Sequence, residues 1–530
     1  MEFKVKKLKN GESLYPYWGK SFDKITGLDP LGQQNASERI YSHLLPGITN
    51  LTNRIRYYGF YCWILWKYEE LNKDRFNQKE HRIFIRRAEF TAALVMNQMN
   101  DSVSQIPGSN KANEVLNSEN IDEPIEISKY ADHNKEGAYW KYATGALGQY
   151  YITSLRTMGL VKEVVADGKL FYVVTQEGKY QVTGKKLAQA FQENLSESSI
   201  EKFLNVLATG IIKPNDIQDI FSSFNLANVP VNSQEWNIYW SLLNGPNEPD
   251  PEKGQVYFRK KTIDLLLDSS LSDGVQSMEF LDSMVVWGIT RDHEDFGTKF
   301  GWYLYRLNEY WQLSCGAMFW SILNILSAER NGIYDKNKLV EEVTARICSE
   351  LKIDKETSVN QLKMKLDVKT VRDLYEKVAS GVKANNSWAV LGSAFQILRM
   401  LLNLNAESIS SYSKIVSSKG LNKKGSFLNF ASRFYGEKKF NQSIDQFLFE
   451  FIDREILLRH RMVALSKLGS GSRSTLKFDL EEGRIMYDSN FEPSFTNPRI
   501  DTLLRILSDM SILELRDDRY HRNTEFNIPV

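Results

Sequence analysis

HNKEGAYWKYATGALGQYYITSLRTMGLVKEVVADGKLFYVVTQEGKYQVTGKKLAQAF, residues 133–191, changes its hydrophobic period three times. Helical spacing runs through Tyr139, Trp140 and Ala143, and Thr144-Gly145 supplies a turn. A second helix, 146–158, places Leu147, Tyr151, Leu155 and Met158 on one face, and Gly159 ends it. The pattern then becomes strand-like: Val161, Val164 and Val165 precede Ala166-Asp167-Gly168, and Leu170 to Thr175 follow. Asp-Gly between two β-branched or aromatic runs is a hairpin signal, because both turn residues must take positive φ. Thr183 and Gly184 open a further helix, KKLAQAF.

Helix, turn, helix, β-hairpin and helix in this order resembles the winged helix-turn-helix superfamily. LRTMGLVKEV…DGKLFYVVTQEGK matches the usual run from recognition helix to wing, and the resemblance covers about a tenth of the chain. It implies that Gln149, Thr153 and Arg156, at i, i+4 and i+7 opposite the apolar face, read base edges in a major groove. Lys162, Lys169 and Lys179, on or beside the wing, would neutralise phosphates. Seven Lys/Arg against three acids between Tyr139 and Phe191 is a modest surplus. Winged helices inside large proteins also dock proteins or serve structure alone, so both uses stay open.

A chain of 530 residues exceeds one hydrophobic core, so several domains are expected. The expected fold is mainly α: a multi-domain helical protein with an inserted winged-helix module and a small C-terminal α+β segment. Residues 1–130 read as a helical domain, 131–195 as the winged-helix-like module, 196–405 as a helical bundle and 406–530 as a basic domain with a β-hairpin at Glu482-Gly483. Residues 101–130 read as a long loop, being rich in Asn, Ser and acids. RIDTLLRILSDMSILEL, from Arg499, repeats the helix-into-strand pattern and suggests a second, truncated unit.

Three scattered cysteines offer neither a disulfide framework nor zinc spacing, which fits a reducing cytoplasm. The apolar runs 57–66 and 310–326 are too short or too interrupted to span a membrane, and no cofactor is called for. Net charge is +1, yet 411–477 carries thirteen Lys/Arg and five acids. There Lys414, Lys419, Lys423, Lys424, Arg433, Lys438 and Lys439 interleave with Phe427, Phe430, Phe434 and Tyr435, which suits a backbone-tracking, base-stacking surface. The alternative is a core of aromatics under a solvated face of lysines. Arg54, Arg56, Arg86 and Arg87 sit beside aromatics and read as structural, through cation–π contacts or pairing with Glu69, Glu70 or Glu89.

Enzymatic motifs are weak. Arg516 to His521 fits Arg-x4-His and so resembles the HEPN ribonuclease motif; Arg454 to His460 and Arg75 to His81 fit looser forms. Arg291-Asp-His-Glu-Asp295 clusters a histidine with three carboxylates and is a candidate metal site. Gly420-Leu-Asn-Lys-Lys-Gly425-Ser has P-loop glycine spacing without the following Lys-Ser/Thr. The function expected is non-catalytic binding of nucleic acid, with duplex DNA favoured. The context expected is a subunit of a bacterial multi-protein system of the anti-phage defence or mobile-element kind, on architecture alone. The rivals are a protein-interaction or self-associating scaffold and a metal- or HEPN-dependent nuclease.

Overall fold

A computed structural model describes residues 29–72, 76–99, 107–118, 123–177, 182–245, 254–271, 273–289, 293–362, 368–402, 406–468, 475–496 and 499–524. The chain is mainly helical, and among the described residues no helix is long and apolar enough to cross a membrane. Its contacts group into two compact units, each assembled from separated stretches. One takes in 38–291, 295–306 and 497–530; the other takes in 1–37, 292–294 and 307–496.

The first unit is organised by the helix Arg56–Leu71, whose aromatics occupy every face and are therefore buried. Trp63 meets Phe224 at 5.3 Å and Phe203 stacks on Phe224 at 4.5 Å, while the Trp63 indole donates to Gln192 Oε1 at 3.1 Å. Gly59 lets the helix close on its neighbours: its N–H donates to the Tyr239 hydroxyl at 3.0 Å, and a Cβ there would collide with that oxygen. The four arginines of this region have structural partners, and Arg56 and Arg86 make the cation–π contacts expected, 5.2 Å from the Phe191 ring centroid and 4.9 Å from that of Tyr139. Arg54 pairs with Asp509 and Arg56 with Glu235, and Arg87 forks onto Asp132 at 3.0 and 3.1 Å. Residues 107–131 are not one long loop, since helices Ser109–Ser118 and Ser128–Ala131 form there; Ala112 and Val115, three apart, give the first a buried face.

In the second unit, residues 307–326 of the helix Thr298–Glu329 are buried nearly all round. Its polar side chains are spent on partners: Asn308 Oδ1 accepts from Phe427 N, Glu309 Oε2 from Thr496 N, and the Trp311 indole donates to the Gly425 carbonyl. The strands Phe478–Glu481 and Arg484–Tyr487 pair antiparallel, and Ile333–Asp335 joins on the far side of the latter. Glu482 and Gly483 take φ of 48° and 79°, the two-residue hairpin turn read from their sequence.

Candidate nucleic-acid interface

The helix expected over 146–158 forms as a π turn, Leu147–Tyr151, running into the α-helix Ile152–Thr157. Leu147, Tyr151, Leu155 and Met158 are buried, with Tyr151 set against Tyr61 at 4.9 Å and Tyr57 at 5.6 Å. Gln149, Thr153 and Arg156 are all exposed. The apolar periodicity therefore fixes which side of the helix solvent sees.

The helix expected through Tyr139 and Ala143 does not form. Arg86, wholly buried on the helix Gln78–Met99, donates to the carbonyls of Ala131, Trp140 and Tyr142 at 2.6, 2.9 and 2.5 Å. Carbonyls claimed from outside favour a loop over an intrahelical ladder. One turn along, Glu89 accepts four hydrogen bonds. Its Oε1 takes Leu147 N at 2.6 Å and the Tyr61 hydroxyl at 3.0 Å; its Oε2 takes Ala146 N at 2.9 Å and the Tyr139 hydroxyl. A carboxylate from another helix thus caps the exposed one. Burial pushes the Glu89 carboxyl above its ordinary range, and the four donors pull it back in part. Gly145, at φ 63°, is required here because a Cβ would collide with Glu89 Oε2.

At the other end Gly159 takes φ 76° and Leu160 N reaches back to Leu155 O at 2.9 Å, a left-handed helix closure. Strands Val161–Ala166 and Lys169–Val174 pair in register from Val161↔Val174 to Ala166↔Lys169, with Asp167 and Gly168 at φ 49° and 71°. Phe171 anchors the hairpin, 5.3 Å from Phe76 and 5.7 Å from His81. Thr183 caps the following helix Gly184–Glu193 by accepting from Lys186 N. Lys162 and Lys169 are exposed; Lys179 lies outside the described residues. The hairpin tip is apolar: Val165 and Leu170, directly paired, are 68% and 40% exposed. Two face residues have neighbours: Gln149 Oε1 accepts from the Trp140 indole at 2.9 Å, and Arg156 pairs with Glu163 at 3.0 Å. That half-exposed pair contributes about 0–1 kcal/mol, so a phosphate can displace it.

The same closure recurs at the C-terminus. The helix Arg499–Asp509 ends at Ser511, φ 59°, with Ile512 N bonded to Leu507 O at 3.0 Å, and the hairpin Leu513–Arg516 with Arg519–Arg522 follows. Tyr520 also bridges Val275, just before the helix Ser277–Ile289. Matching the two closures sets Gln149, Thr153 and Arg156 against Asp501, Arg505 and Ser508, of which only Asp501 is exposed.

The aromatics of 427–435 do not form a stacking surface. Phe427, Phe430 and Phe434 are buried, and Phe430 stacks on Trp311 at 4.6 Å, because their spacing puts them on the inner face of the helix Phe427–Gly436. Lys424 and Lys438 are exposed and Lys423 is half-buried, while Lys439 is held by Glu450 at 2.8 Å. The helical setting of the ribonuclease motif is also missing. Arg516 and His521 lie on facing strands of the C-terminal hairpin, with Arg516 paired to Glu514. His460 is wholly buried with both ring nitrogens bonded, Nδ1 to Pro30 O and Nε2 from Lys477 N, and burial lowers its pKa to about 4. Burial likewise lowers His81 to about 4; Arg75 is outside the described residues. Asp292 is outside them too, and among those described no group of His, Cys, Asp and Glu has the arrangement of a metal site.

Sequence reasoning missed Glu89 and Arg86 as the pair that sets this helix. The available signal was a charged pair inside the apolar run RRAEFTAALVM. Comparison of the chain with protein-family models, curated proteins and solved structures found no match, so the site stands on its own geometry.

Proposed function

We propose that the chain binds duplex nucleic acid, with DNA favoured, without catalysis, using the helix Leu147–Thr157 and the hairpin 161–174 as a winged-helix module. The observation that carries this is the exposed row Gln149, Thr153 and Arg156 on a helix whose opposite face is wholly buried. Lys162 and Lys169 on the adjoining hairpin supply phosphate contacts. The C-terminal helix–hairpin is an internal contrast: it is read as a second, structural unit of the same kind, with no row of exposed polar side chains. Amide and guanidinium groups suit adenine and guanine edges, and a helix of this width fits a major groove.

The test is fluorescence anisotropy with labelled duplex DNA, single-stranded DNA and RNA at about 50 and 200 mM salt, where phosphate contacts appear as a falling log–log slope. Arg156→Ala should cost about 1–3 kcal/mol on duplex, and Lys162→Ala should flatten the salt slope by about 1. No salt-sensitive duplex binding at micromolar protein would overturn the proposal. A second reading, docking of a protein partner, is favoured by the apolar tip at Val165 and Leu170.

A further inference from the structure

The lysines at 423 and 424 belong to a different kind of site from a backbone-tracking surface. They line a cleft of about 570 Å³ together with Arg433, Arg454 and Arg459, and among the described residues Glu455 is the one carboxylate in its lining. That volume lies within the range of small-molecule sites.

Glu455 is already engaged: Arg433 donates to its Oε1 at 2.8 Å, and Arg459 stands 4.0 Å from its Oε2. Arg459 is further committed to the backbone, donating to the carbonyls of Leu31 at 2.5 Å and Gly32 at 3.3 Å, which fixes one wall. Gly425 completes that wall, since a Cβ there would collide with the Gly32 carbonyl and come within 3.0 Å of the Arg459 guanidinium. The lining as a whole carries five cationic side chains, Lys423, Lys424, Arg433, Arg454 and Arg459, against that one described carboxylate.

Apolar side chains line the same cleft, and they share a helical stretch with Arg454 and Arg459. Leu458 and Met462, each 47% exposed, and Val463 line it. Leu458 and Met462 stand four apart on a helix that water would otherwise cover with polar residues. Asn35, Asn429 and Ser466 add neutral hydrogen-bonding groups to the lining. The helix carrying Arg454 and Leu458 widens into a π turn over Ile452–Leu458, a distortion found disproportionately at functional sites.

A ligand complementary to this surface has phosphates for the lysines and guanidinium, a flat apolar body for Leu458 and Met462, and polar edges for the amides. We propose that the cleft binds a nucleotide, its phosphates on Lys423, Lys424 and Arg454 and its base against Leu458 and Met462. Its glycine-spaced loop Gly420–Gly425 then serves as the approach to the phosphates, with the lysines inside the loop and not after it. The site is independent of the duplex-binding reading.

Isothermal titration of the full chain with ATP, AMP, adenosine and inorganic phosphate tests this. ATP is expected to bind in the micromolar range, with adenosine and phosphate each at least about tenfold weaker, because neither alone engages both the cations and the apolar side chains. Lys424→Glu, Arg454→Glu and Leu458→Asp, all at exposed positions, should each weaken ATP by about tenfold or more at unchanged melting temperature. Arg156→Ala should leave ATP binding as it was. Absence of heat at about 1 mM ATP overturns the proposal, as does ATP binding that survives both charge reversals. Equal affinity for ATP and phosphate also overturns it, leaving an anion site without a base pocket.

Discussion

Replacing Glu89 by glutamine is the sharpest test of how the exposed helix is held. Each carboxylate oxygen accepts one backbone N–H and one tyrosine hydroxyl. The amide of Glu89→Gln would fit the same volume but turn one of those oxygens into an NH2. Whichever way the amide is placed, its NH2 meets either Ala146 N–H or Leu147 N–H, donor against donor. A tyrosine hydroxyl can rotate to accept; a backbone N–H cannot. One buried N–H is then left without an acceptor, which costs about 1–3 kcal/mol. For a unit of this size that is a fall in melting temperature of roughly 1.5 °C per kcal/mol. Glu89→Ala strands both N–H groups and both hydroxyls, so its cost should be about twice that of Glu89→Gln, near 4 kcal/mol.

The assay is a thermal melt at pH 7, paired with hydrogen exchange across 145–157. Exchange at Ala146 and Leu147 should rise in Glu89→Gln beyond the global change, and duplex affinity should fall with it. A Glu89→Gln variant that melts within about 1 °C of the parent, with those amides still protected, would refute the reasoning. It would mean that the Ala146 and Leu147 N–H groups find another acceptor when the carboxylate is replaced.

Three further outcomes are expected. Asp509, raised to about 7 by burial despite Arg54 beside it, favours the folded chain fully below its ordinary range and loses that contribution as pH rises through about 7. The urea midpoint of the parent should therefore fall relative to Asp509→Asn between pH 5 and pH 8; a relative rise would contradict the burial account. At the hairpin tip, Val165→Lys with Leu170→Lys should leave stability within about 0.5 kcal/mol and strengthen duplex binding at low salt with a steeper salt slope. Weaker duplex binding would place the tip away from phosphate. Arg86→Leu strands three carbonyls and should destabilise by about 3–5 kcal/mol in urea melts, the loss typical of a broken buried charge network; a loss under about 1 kcal/mol would show that the 131–142 loop holds itself.

What is legible in the sequence is local. The two-residue turns at Asp167-Gly168 and Glu482-Gly483 declare themselves because few residues tolerate positive φ, and Gly159 declares a helix end for the same reason. The buried face of helix 147–157 follows from Leu147, Tyr151 and Leu155 at four-residue spacing. What escapes is non-local. Tyr139 to Ala143 have helical spacing, but Arg86, more than fifty positions earlier, takes the carbonyls a helix would need. Phe427, Phe430 and Phe434 stay ambiguous between core and surface until Trp311 supplies the partner for stacking. Units assembled from stretches as distant as 38–291 and 497–530 leave no mark in a reading that proceeds along the chain.

The repeated helix–hairpin closure shows why motif and function must be separated here. Leu155 and Leu507 accept the same bond from Leu160 and Ile512, across Gly159 and Ser511 in the same left-handed conformation. If that closure alone specified a groove reader, both ends of the first unit would read grooves. At the matched positions, however, Gln149, Thr153 and Arg156 become Asp501, Arg505 and Ser508. The last two are half-buried, and the one exposed residue is an acid that a phosphate would repel. The helix carrying them is spent instead on packing, with Trp236 donating to Met510 O and Arg54 held on Asp509. The closure is a way of turning a helix into a strand, and it is neutral about purpose. The case for nucleic acid therefore rests on three exposed side chains, on the carboxylate that caps their helix and on the lysines beside them. A variant that keeps the closure but reverses that face separates the two: Gln149→Asp with Arg156→Ser should fold as the parent does and lose the duplex.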